Sequence, residues 1–178
     1  MSQSSSKSRY DLVAIVLHWV IAILLLLVGV LGLLFEAIPR ASRLFYINLH
    51  ATIGLVMFGL ILMRLLWRVT HPAPAADQSW SPLVVMVSNL THKALYGLLL
   101  AAPIVGIIAY VWHGRVFNFG LFKLDFAITS QKVIYEAAEG LHEAFAYALM
   151  GLVALHVLGA LWHHFIARDG IFDRILPR

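Results

Sequence analysis

The sequence predicts an all-α membrane protein, a bundle of four transmembrane helices, and three observations carry that class. The chain is 61% hydrophobic and only 12% charged over 178 residues, far from the roughly one-half apolar, one-quarter charged balance of soluble domains. Four stretches run free of Asp, Glu, Lys and Arg for about the 20 residues that a hydrocarbon core of about 30 Å requires. Inside lipid, where the backbone must satisfy itself, helices are the natural way to span such lengths. There is no cysteine, which excludes disulfides, Fe–S clusters and thiolate metal sites. A net charge of +4 is too small to argue for nucleic acid.

The first window, Leu12–Phe35, lies between Asp11 and Glu36. It is too long for a secretory leader and no small-residue cleavage site follows, so it is expected to stay as a span. The second, Leu44–Met63, follows the short connection "EAIPRASR", which makes the first two helices an antiparallel pair. Pro72, Pro74 and Pro82 mark a loop before the third, Ala94–Gly114, in which Pro103 is expected to bend the helix. A second loop runs from Arg115 to about Thr129, and the fourth window, Ala144–Ala167, extends a helix that starts outside the membrane. The expected helices cover about 10–37, 44–69, 88–113 and 131–167, in one domain spanning 1–178. The polar opening "MSQSSSKS" is expected to be disordered.

Charge sets the orientation. With the N-terminus inside, Lys7, Arg9, Arg64, Arg68, Lys93, Arg168, Arg174 and Arg178 fall on the inner face, eight against the five of Arg40, Arg43, Arg115, Lys123 and Lys132. The positive-inside rule then places both termini in the cytoplasm. Trp19, Trp67, Trp112 and Trp162 fall towards helix ends, as aromatic belts do. Gly29, Gly32, Gly54, Gly59, Gly106 and Gly151 are expected where helices, or a flat cofactor, approach closely.

Histidines are the chemistry-bearing residues within these spans, and ionisable groups in a membrane point to function. His142 and His156 stand fourteen residues apart, so they share one helix face to within roughly 40° at two depths about 21 Å apart. His50 lies at the outer level with His142, and His18 at the inner level with His156. A lone membrane histidine can as readily bond a neighbouring helix. Two facing neutral imidazoles at each of two levels, however, suit the axial positions of two haem irons, and bundles build cofactor sites from facing helices. Zinc wants three or four ligands at one point. Spacing alone does not choose between His156 and His163, seven residues further along nearly the same face.

The segments "IVLHW", "INLHATIG", "MRLLWR", "THKALYGLLLAAPIVG", "LHEAFAYALMGLVALH" and "WHHF" before a short basic tail together resemble the bacterial cytochrome b561 family, from about Ser8 to Arg178. The resemblance implies a four-helix bundle enclosing two b-type haems, each between two histidines. Carried onto this chain it pairs His18 with His156 and His50 with His142, and gives His163 a second role. Arg64, at the inner hydrocarbon boundary, is expected to meet a haem propionate or a quinone headgroup. His92 and Lys93 are candidates for a propionate contact and a proton donor to quinone. His163 and His164 form a protonatable pair suited to quinone reduction. Arg68 reads as a plain anchor, and His71 and His113 receive no role.

No arrangement suggests acyl or phosphoryl transfer, so the expected activity is one-electron transfer between small carriers. Some members of the resembled family pass electrons from superoxide outside to ubiquinone, and the same is expected here: a superoxide:ubiquinone oxidoreductase of the bacterial inner membrane. Its partners are then the lipid bilayer, quinone and superoxide. Two other readings remain open at this point. One is a haem-bearing membrane anchor passing electrons from a dehydrogenase or hydrogenase to quinone. The other is a haem-free histidine-based metal transporter, for which ligands would have to converge and inverted repeats would be expected.

Overall fold

The computed structural model describes residues 9–75 and 80–177. In chain order it contains α1 (Leu12–Leu33), α2 (Arg40–Thr70), α3 (Pro82–Trp112), the short strands β1 (Phe117–Asn118) and β2 (Lys123–Leu124), and α4 (Lys132–Trp162). α4 runs on through a π-wound turn, His163–Ala167, and a 3₁₀ turn follows at Phe172–Arg174. All four α-helices are long and apolar enough to cross a membrane. The polar N-terminal stretch, with Lys7, and Arg178 lie outside the described residues.

Local chemistry sets the helix ends. Asp11 caps α1: its carboxylate accepts from the Ala14 N–H at 2.9 Å and from the Trp67 indole at 3.0 Å, which also ties α1 to α2. Burial acts to raise this carboxyl, but the two hydrogen bonds outweigh it and hold the group below its usual range. A depressed folded value contributes stability above the unfolded one, lost as pH falls through the folded value. Asp11→Ala is therefore expected to lower unfolding stability by about 1 kcal/mol near neutral pH. In melts run at successively lower pH, the gap to the parent should close below about pH 4.

α3 starts at Pro82, earlier than the start near residue 88 expected from the sequence. Pro82 is a helix opener here: the Ser81 hydroxyl accepts from the Val84 N–H at 3.3 Å, and a proline at the first helical position gives up an N–H that has no partner anyway. At the other end, the loop after α3 folds into a two-stranded antiparallel hairpin pairing Phe117 with Leu124 and Asn118 with Lys123. Phe117 is wholly buried against Tyr110 and Val111. Asn48 of α2 latches the hairpin, exchanging hydrogen bonds of 3.0 Å with both the carbonyl and the N–H of Asn118 and accepting from the Tyr110 hydroxyl at 2.8 Å.

The helices pack as two antiparallel pairs, α1 with α2 and α3 with α4, joined mainly along α2 and α3. α4 makes no extensive close backbone packing against α1 or α2 among the described residues. Midway along the bundle an apolar layer closes the middle: Ile21, Leu25 and Val28 of α1, Met57 and Ile61 of α2, Leu95 of α3 and Leu149 of α4. Outward-facing leucines and valines such as Leu26, Val30, Leu62 and Leu158 remain exposed, as a lipid-facing surface requires.

Candidate functional site

The gap between α4 and the α1–α2 pair is bridged by histidine side chains at two levels. Towards the face carrying the hairpin, the rings of His50 (α2) and His142 (α4) lie 6.0 Å apart between centroids and nearly perpendicular, at 89°. Towards the opposite, terminal face, where Tyr10 meets Arg174, His18 (α1) and His156 (α4) lie 6.5 Å apart at 72°. Two metal–nitrogen bonds of about 2 Å each, plus the radius of each ring, give a centroid separation of roughly 6 Å for two imidazoles on opposite sides of one metal. Both pairs sit at that spacing, and the apolar layer separates them.

The hairpin-side pair is also oriented from behind. His50 Nδ1 donates to the Val28 carbonyl at 3.0 Å, and His142 Nδ1 donates to the Ala102 carbonyl at 2.8 Å. With Nδ1 committed, the second ring nitrogen, Nε2, is the one left to ligate, which is how metal-binding histidines are commonly held. Glycine makes room for the His142 ring: a Cβ at Gly106 would fall 2.8 Å from His142 Nδ1 and 2.9 Å from its Cε1, whereas one at Gly32 would lie in ordinary contact, 3.5 Å from His50 Cε1. The donor set, its spacing and this cradle fit a bis-imidazole haem site. The described residues contain no group of three or more His, Cys, Asp or Glu placed to hold a metal ion.

The other residues singled out from the sequence separate into different settings. Arg64 donates to the Ala14 carbonyl at 2.8 Å and to the Tyr96 hydroxyl at 3.2 Å, joining α1, α2 and α3 at the terminal face. His92 stands edge-on to His156, 5.4 Å between centroids, with Nδ1 donating to the Ser88 carbonyl at 2.7 Å. Lys93 is exposed. His163 and His164 have different partners: His163 meets Asp169 at 2.6 Å, whereas His164 lies 3.6 Å from Asp173 on the exposed side. Sequence reasoning missed Tyr96 and Asp169, whose contacts depend on tertiary folding that no spacing announces.

A family model described as prokaryotic cytochrome b561 matches residues 9–178. This chain belongs to the prokaryotic cytochrome b561 family. Among similar proteins, Cytochrome b561 homolog 2 of Escherichia coli K12 is 30% identical, covering all of this chain and 96% of its own length. Probable superoxide oxidase CybB of Yersinia pestis is 26% identical over 96% of this chain and 97% of its own. Cytochrome b561 homolog 1 of Escherichia coli K12 is 25% identical over 96% and 98%. As a cytochrome b561, the protein is a multi-pass membrane electron-transfer protein of a family that binds b-type haem.

Proposed function

We propose that this cytochrome b561 holds two b-type haems, one between His50 and His142 and one between His18 and His156, and carries electrons across the bilayer between them. The observation behind this reading is the pairing itself: two imidazole pairs, 6.0 and 6.5 Å between centroids, bridging the gap beside α4 at two depths. Bound there, each haem would supply reversible one-electron chemistry at its iron. The chain does the rest. The Val28 and Ala102 carbonyls hold His50 and His142 in register, and the layer around Ile61 and Leu149 keeps the midplane free of polar groups. Arg64, beside the His18 level, is the cation we assign to a propionate or a quinone headgroup, with His92, Lys93 and His163 completing the terminal face.

The specific activity we favour is a superoxide:ubiquinone oxidoreductase, with superoxide as donor on the hairpin side and quinone as acceptor at the terminal face. Both termini then lie in the cytoplasm of an inner-membrane protein. The name of the Yersinia pestis relative supports the donor. On the hairpin side Lys132 is partly neutralised by Glu136 at 3.6 Å, and Arg43 is turned onto the Glu36 and Ile38 carbonyls. Arg40, Lys123 and Arg115, the last over the Tyr110 ring at 5.9 Å, are the cations left to draw in a small anion, against the largely offsetting Glu36, Glu136, Glu139 and Glu143. Stopped-flow mixing of the oxidised protein with superoxide, without any other protein present, is expected to reduce the haem in a second-order reaction. Reduction that needs an added dehydrogenase or hydrogenase would instead make the protein a membrane anchor for that partner.

A further inference from the structure

α4 does not end as an ordinary helix. Its last turn, His163–Ala167, is π-wound, and Arg168 then adopts a left-handed φ of 51°. The reversal brings Asp169 back onto the helix it has just left. His163 Nδ1 donates to Asp169 Oδ2 at 2.6 Å, while Asp169 Oδ1 accepts from the Ile171 N–H at 3.1 Å. Both side chains are largely covered, 18% and 21% exposed. The following tail is strapped beneath α1: the Tyr10 N–H donates to the Arg174 carbonyl at 3.2 Å, the Trp19 indole to the Ile175 carbonyl at 2.9 Å, and Arg9 to the Leu176 carbonyl. Trp19 is the neighbour of His18, so the tail is anchored next to the terminal-side histidine level. His163 stands about 10 Å beyond His156 along α4.

We infer that His163 and Asp169 form an acid–base dyad that delivers protons to the electron acceptor at the terminal face. The inference rests on the quinone reading above. Reducing a quinone to its hydroquinone takes two electrons and two protons, so each electron arriving at the ring is matched by one proton. In each protonation the Nε2–H bond of a His163 imidazolium breaks and an O–H bond forms on a quinone oxygen. The imidazole is left neutral with its remaining proton on Nδ1, facing Asp169, and Nε2 regains a proton from water at the membrane surface. Asp169 is the positioning residue: its carboxylate, anchored on the Ile171 N–H, holds His163 Nδ1 and so fixes which nitrogen donates. The neighbouring His164 lacks this construction, since its Asp173 is 3.6 Å away and 52% exposed.

The test uses haem-loaded full-length protein in phospholipid vesicles. A short-chain ubiquinone analogue reoxidises the pre-reduced haem, and ¹⁵N-histidine NMR of the oxidised protein is recorded without quinone. Asp169→Asn is expected to lower the maximal reoxidation rate by about tenfold or more with KM changed less than about twofold, and Asp169→Glu to restore most of it. A downfield Nδ1 proton should be present in the parent and absent from both His163→Gln and Asp169→Asn. Asp173→Asn should match the parent. If Asp169→Asn fails to retain haem, His163→Gln, which leaves the Asp169–Ile171 turn intact, must show the same loss of rate. Parent-like rates in these variants, a change confined to KM, or a downfield proton surviving in Asp169→Asn would overturn the dyad. A parent protein that the quinone leaves reduced overturns the quinone reading instead, and the NMR signal then still reports the hydrogen bond.

Discussion

Purified His50→Ala protein is expected to carry one haem per chain where two are expected for the parent, the survivor being the haem at the His18–His156 level. Removing His50 leaves His142 as the lone imidazole at the hairpin-side level, opposite an empty methyl, and leaves the Val28 carbonyl without the Nδ1 donor it now accepts at 3.0 Å. The other level lies about 21 Å away along α4, beyond the layer of Leu25, Met57, Ile61 and Leu149. Sites so far apart, without shared partners, respond independently. His18→Ala should give the mirror result, keeping the haem between His50 and His142. Haem quantified per chain, with a dithionite-reduced visible spectrum to separate the two centres, checks both variants. Unchanged haem content in either would remove that histidine from the ligand set.

The features legible in the sequence are those set by periodic constraints. Lipid demands uninterrupted apolar runs, so the four spans could be read from windows such as Leu12–Phe35. Helical geometry puts residues fourteen apart on one face, so the two levels of His142 and His156 could be read as well. Aperiodic chemistry was harder. Pro82 looked like loop punctuation because proline both breaks and opens helices, and only the Ser81 cap decides which. The hairpin at Phe117–Leu124 depends on Asn48, seventy residues earlier in the chain. By spacing alone His156 and His163 were equivalent. In the fold one ring faces His18, while the other is turned to Asp169 by a π-turn that no 3.6-residue period describes.

Gly106 supplies the second large effect, and Gly29 its control. Both are helical glycines whose replacement by alanine gains about 0.5–1 kcal/mol of helix propensity. At Gly29 the new Cβ would meet Met150 Sδ at 3.0 Å. A thioether on three rotatable bonds can swing aside, so Gly29→Ala should leave haem content and stability close to the parent's. At Gly106 the Cβ would fall 2.8 Å and 2.9 Å from two atoms of the His142 ring. That ring has little freedom to yield, because His142 Nδ1 is bonded to the Ala102 carbonyl and the ring faces His50 on its other side. Displacing it breaks a partly buried hydrogen bond, at a cost of about 1–3 kcal/mol, which exceeds the propensity gain. It also releases the orientation of the ligand proposed for the hairpin-side haem, a loss that typically weakens metal affinity by about 10–100-fold. Gly106→Ala should therefore lose the hairpin-side haem during purification or release it at lower temperature, while the His18–His156 level stays filled. If Gly106→Ala and Gly29→Ala retain haem equally through a thermal ramp, then the close approach of α3 does not hold His142 in place, and the Ala102 carbonyl must orient it alone.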